Sequence, residues 1–287
     1  MNEHLIKSAL RANEATLGFH WIYDREYLLA LSQTQSLLNQ APAKEHYEKA
    51  NLSFFAYEQI DQFTVQGHIL KWLFKAVREN KNLTKDEFKA ILLKQFMPGG
   101  HYTSYTESYI KKMVYNELAK GFNQPIIPMD DDQLPAFIPY MVFKWLKSNE
   151  VEVDVLSKAL EFASLFTNRK EYEDYFKMLD KIIETTTVSD IPGGLKAAIP
   201  YAPKDQQENL KQAFLVEDSE FFIKNYSGTA CNYHEAISLI YYILIHTRGY
   251  REAVELNVRL GGASADRVML LAFLYTYIEI NSEEPDG

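Results

Sequence analysis

The stretch HILKWLFKAV, residues 68–77, decides the fold class of this chain. Its apolar residues recur at the spacing of one face of an α-helix: Ile69, Leu70, Leu73, Phe74 and Val77. A strand would alternate apolar and polar residues, and no series of such segments joined by hairpin turns occurs in the sequence. This stretch therefore predicts an amphipathic helix packed on a helical core.

The helical pattern continues outward in both directions. It recurs in residues 85–96 and 156–165, and we also interpret 254–260 as helix, although its apolar residues alternate, because it lies inside a longer helical window. Proline and glycine segments end the helices at 97–100, 123–135, 191–194 and 200–203. We predict an all-α, single-domain bundle of more than ten helices over residues 1–287, with a frayed tail at 281–287.

Composition excludes several classes of protein. The chain has 287 residues, of which 47% are hydrophobic and 24% charged, so a globular domain is expected rather than disorder. Its net charge of −9 repels phosphate backbones, and we predict no nucleic-acid partner. Cys231 is the only cysteine, which excludes an intramolecular disulfide. The apolar run 237–245 is too short to span a bilayer, so we expect no membrane association and a cytoplasmic location.

Three segments gather polar residues where a plain helix would not need them. HWIYD at 20–24 follows the first helix, PGGHYTSYTE covers 98–107, and NVRLGGASADR covers 257–267. Each has a structural interpretation as well as a functional one. Asp24 is of a residue type that commonly caps the N-terminus of a helix. The pair Gly99-Gly100 is typical of a helix end, and the pair Gly261-Gly262 is typical of a tight turn or an anion site.

The order of these motifs resembles the ADP-ribosylglycohydrolase superfamily, which includes the dinitrogenase reductase-activating glycohydrolases. The resemblance runs from about residue 5 to 280 and is greatest to a divergent branch with His-Trp-x-Tyr-Asp, Pro-Gly-x-His and Tyr-x-Glu elements. It implies an orthogonal helical bundle and hydrolysis of the glycosidic bond in ADP-ribose conjugates. It also implies a centre of two magnesium ions held by carboxylates, which hard divalent cations require.

The chain departs from the family at that centre. The early Thr-Asp-Asp-Thr segment aligns with residues 61–64, where Gln62 and Phe63 replace acids. In the late segment Ala263 and Ala265 replace acids, and Asp266 lies one position away, a helical rotation of about 100°. The chain departs from the family at two further places. The family has an acid where this chain has Asn13, and an Asn-Asp pair where this chain has residues 102–103. We therefore predict that no magnesium or other cofactor binds, and that catalysis is impaired.

Two hypotheses remain open. The first is a ligand-binding or regulatory module, a pseudoenzyme that takes ADP-ribose or a nucleotide-like molecule; the second is a hydrolase with a metal-independent or altered-metal mechanism. The ligand-pocket candidates come from the matched segments: His20, Tyr23, Thr64, His101, Tyr102, Tyr233 and Asp266. The candidate acids and bases are Glu107, His101 and Asp24. All of them also have a structural interpretation as core or helix-end groups.

Three further features have competing interpretations. The acidic run 130–132 lies in a proline-flanked loop and is interpreted as a solvated turn rather than a cation site. Glu235, beside His234, suits the first turn of an apolar helix. Cys231 lies near the same helix start, where a thiolate would be stabilised, but a structural cysteine is the preferred interpretation.

Overall fold

The structure of the chain is a computed structural model that describes residues 2–49 and 62–283. Within these ranges the backbone forms fifteen α-helices, short 3-10 turns and only isolated β-bridges, so the chain is all-α as predicted. The helices are α1 (His4–Ala15), α2 (Arg25–Ser32), α3 (Lys44–Lys49), α4 (Val65–Glu79), α5 (Lys85–Phe96), α6 (Ser108–Gly121), α7 (Phe137–Lys147), α8 (Val155–Ala163), α9 (Glu171–Thr185), α10 (Ile191–Ala198), α11 (Gln207–Gln212), α12 (Ser219–Asn225), α13 (Tyr233–His246), α14 (Tyr250–Arg259) and α15 (Ser264–Glu283).

The core is built around α15, which packs along α1 and also contacts α4, α7, α9, α13 and α14. Every residue of α15 from Ser264 to Thr276 is buried, and α7 is buried over nearly its whole length. Helices that are apolar on all sides must be surrounded by other helices. One hydrophobic cluster consequently extends from Leu5 to Ile278.

Local signals set the helix boundaries. At α5, the hydroxyl of Thr84 accepts from the Glu87 backbone N–H while the Glu87 carboxylate accepts from that of Thr84, which is a capping box. This helix ends at Phe96, before Met97-Pro98, as predicted. Residues 254–259 lie in α14, which confirms the helical interpretation of that alternating segment.

The turn between α14 and α15 fixes the start of the central helix. Gly261 and Gly262 have φ values of 76° and 71°, which side chains with a Cβ rarely adopt. A Cβ at Gly262 would also lie 1.9 Å from the carbonyl oxygen of Thr229. The Gly262 N–H donates to the Ile22 carbonyl, and the Trp21 N–H donates to the Gly262 carbonyl, each at 2.7 Å. Residues 20–24 are thereby joined to the beginning of α15.

The C-terminal end is more ordered than the sequence predicts. Residues 281–283 continue α15 instead of starting a frayed tail. They are held because Asn281 Nδ2 donates to the Ile183 carbonyl at 3.1 Å and Ser282 Oγ accepts from the Val188 N–H at 2.9 Å. Residues 284–287 lie outside the described residues. Among the helices described, none is both long and apolar enough to cross a membrane.

Candidate functional site

A buried contact between α4 and α15 forms the centre of the candidate site. Thr64 is the N-cap of α4, and its Oγ1 accepts from the Gly67 N–H at 3.2 Å. The same hydroxyl donates its proton to Asp266 Oδ1 at 2.6 Å. Thr64 and Asp266 are both buried. A hydroxyl that caps a helix while donating to a carboxylate fixes the position of that carboxylate.

Asn13 joins a third helix to this pair. Its side chain is fully buried, and its Oδ1 accepts from the Thr64 N–H at 3.1 Å. Its Nδ2 donates to Thr64 Oγ1 at 3.0 Å and to the Ala265 carbonyl at 2.7 Å. The amide thus connects α1, α4 and α15 at the position where the family resemblance places an acid.

His20 completes the buried centre. Its Nδ1 accepts from the Ala265 N–H at 3.1 Å. The proton of the neutral imidazole therefore lies on Nε2, which is 3.5 Å from Asp266 Oδ2, with both side chains fully buried. Nε2 and Oδ2 have no hydrogen-bond partner in the described part of the chain. This pair offers one donor and one acceptor to a further group.

Glu107 supplies a second carboxyl group. It is the N-cap of α6, is 4% exposed, and its Oε2 accepts from Gln66 Nε2 at 3.1 Å. Burial, assisted by the nearby negative charge of Asp266, raises the pKa of Glu107 to about 8. An acid with that pKa keeps its proton at neutral pH, so Glu107 is able to donate a hydrogen bond or a proton there.

Aromatic side chains close the site. A cavity of about 10 Å³ is lined by His20, Trp21, Phe63, Thr64, Val65, Tyr102, Tyr105 and Glu107. This is about the space that one water molecule needs. Trp21 has a φ of 68°, which is rare for a bulky residue. Its indole stacks on His20 with 4.4 Å between ring centroids, and Tyr105 contacts it edge-on at 5.0 Å.

The structure brings only some of the sequence-predicted residues together. His20, Thr64, Tyr102, Glu107 and Asp266 lie in or beside the cavity. Four candidates lie elsewhere: His101, Tyr23, Asp24 and Tyr233. His101 and Tyr23 are exposed, and Asp24 caps α2 by accepting from the Tyr27 N–H at 2.9 Å. Tyr233 is buried in a separate aromatic cluster with Tyr172 and Tyr175.

The residues that align with the metal ligands of the resembled family lie in surroundings that differ from one another. Ala263 and Ala265 are fully buried, and their N–H groups donate to the Thr229 carbonyl and to His20 Nδ1. Gln62 is exposed and donates to Glu14 Oε1 at 3.0 Å. Asp61 lies outside the described residues. Across 2–49 and 62–283, no group of three or more His, Cys, Asp or Glu side chains is arranged to hold a metal ion.

The remaining sequence features have structural partners. Asp130 and Asp131, in the loop after α6, both form ion pairs with Lys112 of that helix, at 2.5 and 2.9 Å. Glu235 lies in the first turn of α13, where Oε2 accepts from the Ala230 N–H at 2.6 Å. Burial raises the pKa of Cys231 to about 12, so this cysteine carries a thiol and not a thiolate at neutral pH.

Sequence reasoning missed several members of the site. Asn13 was considered only as a lost acid, and Gln66, Trp21 and Tyr105 were not among the candidates. Gln66 did carry a signal, since it is a polar residue next to the apolar stripe of α4 and two positions after the candidate Thr64. Tyr105 lies in the Tyr-x-Glu element, but its place beside Trp21 depends on how the 98–107 segment folds back.

The sequence matches no protein-family model, and no curated protein aligns with it significantly. The family resemblance is therefore carried by the motifs alone.

Proposed function

We propose that this chain is a divergent protein of the ADP-ribosylglycohydrolase type, in which a hydrogen-bonded network replaces the two-magnesium centre. We further propose that it acts as a ligand-binding or regulatory module for ADP-ribose or a nucleotide-like molecule. The observation that carries the proposal is the position of Asp266. Its Oδ1 accepts from Thr64 and its Oδ2 lies 3.5 Å from His20 Nε2, so side chains of the protein itself surround the acid.

The donor set does not fit two magnesium ions. Such a pair needs several anionic oxygens with near-octahedral geometry. Asp266 has one oxygen committed to Thr64, and Glu107 Oε2 already accepts from Gln66 Nε2. Phe63, Ala263 and Ala265 carry no oxygen in their side chains.

The walls of the cavity suggest how a ligand would be held. A ligand the size of a nucleotide needs several hundred Å³, so the aromatic wall of Trp21, Phe63 and Tyr105 has to move aside to admit one. Aromatic faces stack on a base or a sugar without help from a metal. Behind them, His20 Nε2 offers a donor and Asp266 Oδ2 an acceptor, which suits the hydroxyl groups of a ribose.

A second candidate function is metal-independent hydrolysis of a glycosidic bond. It is favoured by the presence of two buried carboxyl groups at one site, since such a reaction uses a protonated acid, here Glu107, and an acceptor oxygen, here Asp266 Oδ2. Glu107 would give its proton to the leaving group as the glycosidic bond breaks. Asp266 would accept a proton from the water whose oxygen bonds to the anomeric carbon. Asp24 and His101 do not line this cavity.

A paired measurement tests the two functions. The binding proposal expects ADP-ribose to bind no tighter than micromolar in calorimetry, with affinity reduced in Asp266→Ala. It also expects no release of ADP-ribose from a modified protein, with or without Mg²⁺. Metal-independent turnover that is lost in Glu107→Gln would establish the second function instead. Robust Mg²⁺-dependent turnover that is abolished in Asp266→Ala would falsify both.

A further inference from the structure

A groove between α1 and α14 lies apart from the candidate site, and we call it the α1–α14 groove. Its volume is about 690 Å³, and α15 contributes the buried residue Thr276 to its floor. Among the described residues, none lines both this groove and the cavity at His20. Sites for small molecules have volumes of about 300–1,000 Å³ and are common between the helices of a bundle. The α1–α14 groove has the size and position of such a site.

One end of the groove is closed and apolar. The Asn39 N–H donates to the Ala15 carbonyl at 2.7 Å, which holds residues 36–39 against the end of α1. Asn39 has a φ of 58°, a conformation that asparagine adopts more readily than most residues. The side chains that line this end are small or aliphatic: Ala12, Ala15, Leu38 and Val254. This end is suited to an apolar group of a ligand.

The floor of the groove carries three hydroxyl groups whose protons are used within the protein. The Tyr250 hydroxyl donates to the Ser8 carbonyl at 3.3 Å and accepts from Ser8 Oγ at 3.2 Å. Ser8 Oγ lies 2.7 Å from Thr276 Oγ1. Because the Ser8 proton is directed to Tyr250, Thr276 is the donor in this contact. The remaining lone pairs are acceptors, so a ligand on this floor has to bring hydrogen-bond donors.

The charges around the groove favour a neutral ligand. Four side chains with full charges line it, two of each sign: Arg11, Arg251, Glu14 and Glu279. Arg251 is also paired with Glu255 at 2.9 Å, so its charge is already compensated. An anion therefore gains no net attraction from the lining, and the net charge of −9 on the chain opposes it. The guanidinium of Arg11 opposes a cation.

We propose that the α1–α14 groove binds a neutral glycoside, which is a sugar joined to an apolar group. The sugar hydroxyls would donate to the oxygens of Ser8, Thr276 and Tyr250 and accept from Arg11. The apolar group would lie against Ala12 and the other side chains of the closed end. A hydroxyl group is both a donor and an acceptor, whereas a carboxylate or a phosphate dianion can only accept. The groups on the floor therefore discriminate against anionic ligands of the same size.

The test uses the full chain and three matched probes. Phenyl β-glucoside combines a sugar with an apolar group, glucose lacks the phenyl group, and phenyl β-glucuronide has a carboxylate in place of the hydroxymethyl group. In calorimetry, phenyl β-glucoside should bind at least about ten-fold tighter than glucose, because the phenyl ring is buried at the closed end. It should bind at least about five-fold tighter than the glucuronide, which has lost a donor and gained a charge.

Two variants locate the sugar and the apolar group separately. Thr276→Val removes a hydroxyl from the floor at nearly constant volume and should weaken phenyl β-glucoside binding at least about five-fold. Ala15→Phe fills the closed end and should weaken phenyl β-glucoside at least about ten-fold while leaving glucose unaffected. The control is Leu215→Ser, which alters a residue that is 73% exposed outside the groove and should leave all three affinities unchanged. Urea unfolding confirms that each variant is folded.

Several outcomes would overturn the proposal. One is that none of the three probes binds, and another is that the glucuronide binds as tightly as the glucoside. Wild-type affinity for phenyl β-glucoside in both folded variants would show that the sugar does not lie in this groove. Binding that is lost in Asp266→Ala but kept in Thr276→Val and Ala15→Phe would place the sugar in the candidate site instead. The proposal does not depend on the function proposed for that site.

Discussion

The hydroxyl of Thr64 lies 2.6 Å from Oδ1 of Asp266, a residue 202 positions further along the chain. This bond joins the first residue before α4 to the first turn of the central helix α15. It also places the capping hydroxyl between a backbone amide and a carboxylate. The stability of the core and the shape of the candidate site therefore depend on the same contact.

Loss of the Thr64 hydroxyl should destabilise the protein. Thr64→Val keeps the shape of the side chain but removes its hydroxyl. That hydroxyl accepts hydrogen bonds from the Gly67 N–H and from the Asn13 side chain, and it donates one to Asp266. We expect a loss of about 2–4 kcal/mol in the free energy of unfolding, measured in urea. Thr64→Ser keeps all three bonds and should lose less than half of that. Equal losses in the two variants would mean that methyl packing stabilises this contact as much as the hydroxyl does, and a smaller loss in Thr64→Val than in Thr64→Ser would contradict the prediction.

Glu107 should make stability depend on pH. Its pKa in the folded protein is about 8, compared with an ordinary value of 4.5. Between these pH values the folded state holds a proton that the unfolded state has lost. The free energy of unfolding should therefore fall as the pH rises from about 5 to 8, and then level off.

Glu107→Gln isolates this contribution, because glutamine is neutral throughout the range. The free energy of unfolding of both proteins should be measured in urea at several pH values. Over the range it should fall by at least about 1 kcal/mol more in the wild type than in the variant. Parallel curves would show that Glu107 is ionised at neutral pH in the folded protein and would also remove the basis for its role as an acid.

Gly262→Ala should disrupt the turn before α15. The new Cβ would meet the Thr229 carbonyl at 1.9 Å, in addition to the cost of a positive φ. We expect a loss of about 3 kcal/mol or more in thermal or urea unfolding. Gly99→Ala is the matched control, since its φ is 83° but a Cβ there meets no atom within 4 Å. It should lose only about 1–2 kcal/mol, and similar losses at both positions would contradict the predicted clash.

Magnesium should not bind tightly at the candidate site. Asp266 alone cannot balance two divalent cations, and its Oδ1 is already engaged by Thr64. Calorimetric titration of the full chain should show no binding of Mg²⁺ below millimolar concentrations. Asp266→Ala serves as the reference. Sub-millimolar binding that disappears in this variant would restore the family's metal centre.

Much of the secondary structure could be predicted from the sequence, because helix formation is governed by local spacing and caps. The end of α5 before Met97-Pro98 and the helix through 254–259 both followed from neighbouring residues alone. The end of α15 did not. Asn281 and Ser282 resemble a polar tail, and they remain helical because α9 and the 3-10 turn after it supply partners far away in sequence.

The sequence by itself determined the all-α class, and the motifs that carry the family resemblance marked Thr64, Glu107 and Asp266 as site candidates. Only the tertiary structure decided which polar residues meet. Asp24 and Asp266 are both acids within helix-forming segments. Asp24 caps α2 at the surface, whereas Asp266 is buried against Thr64 and His20. The physical reason is that burial and pairing depend on how distant helices pack, and the packing of α1, α4 and α15 is a property of the whole chain.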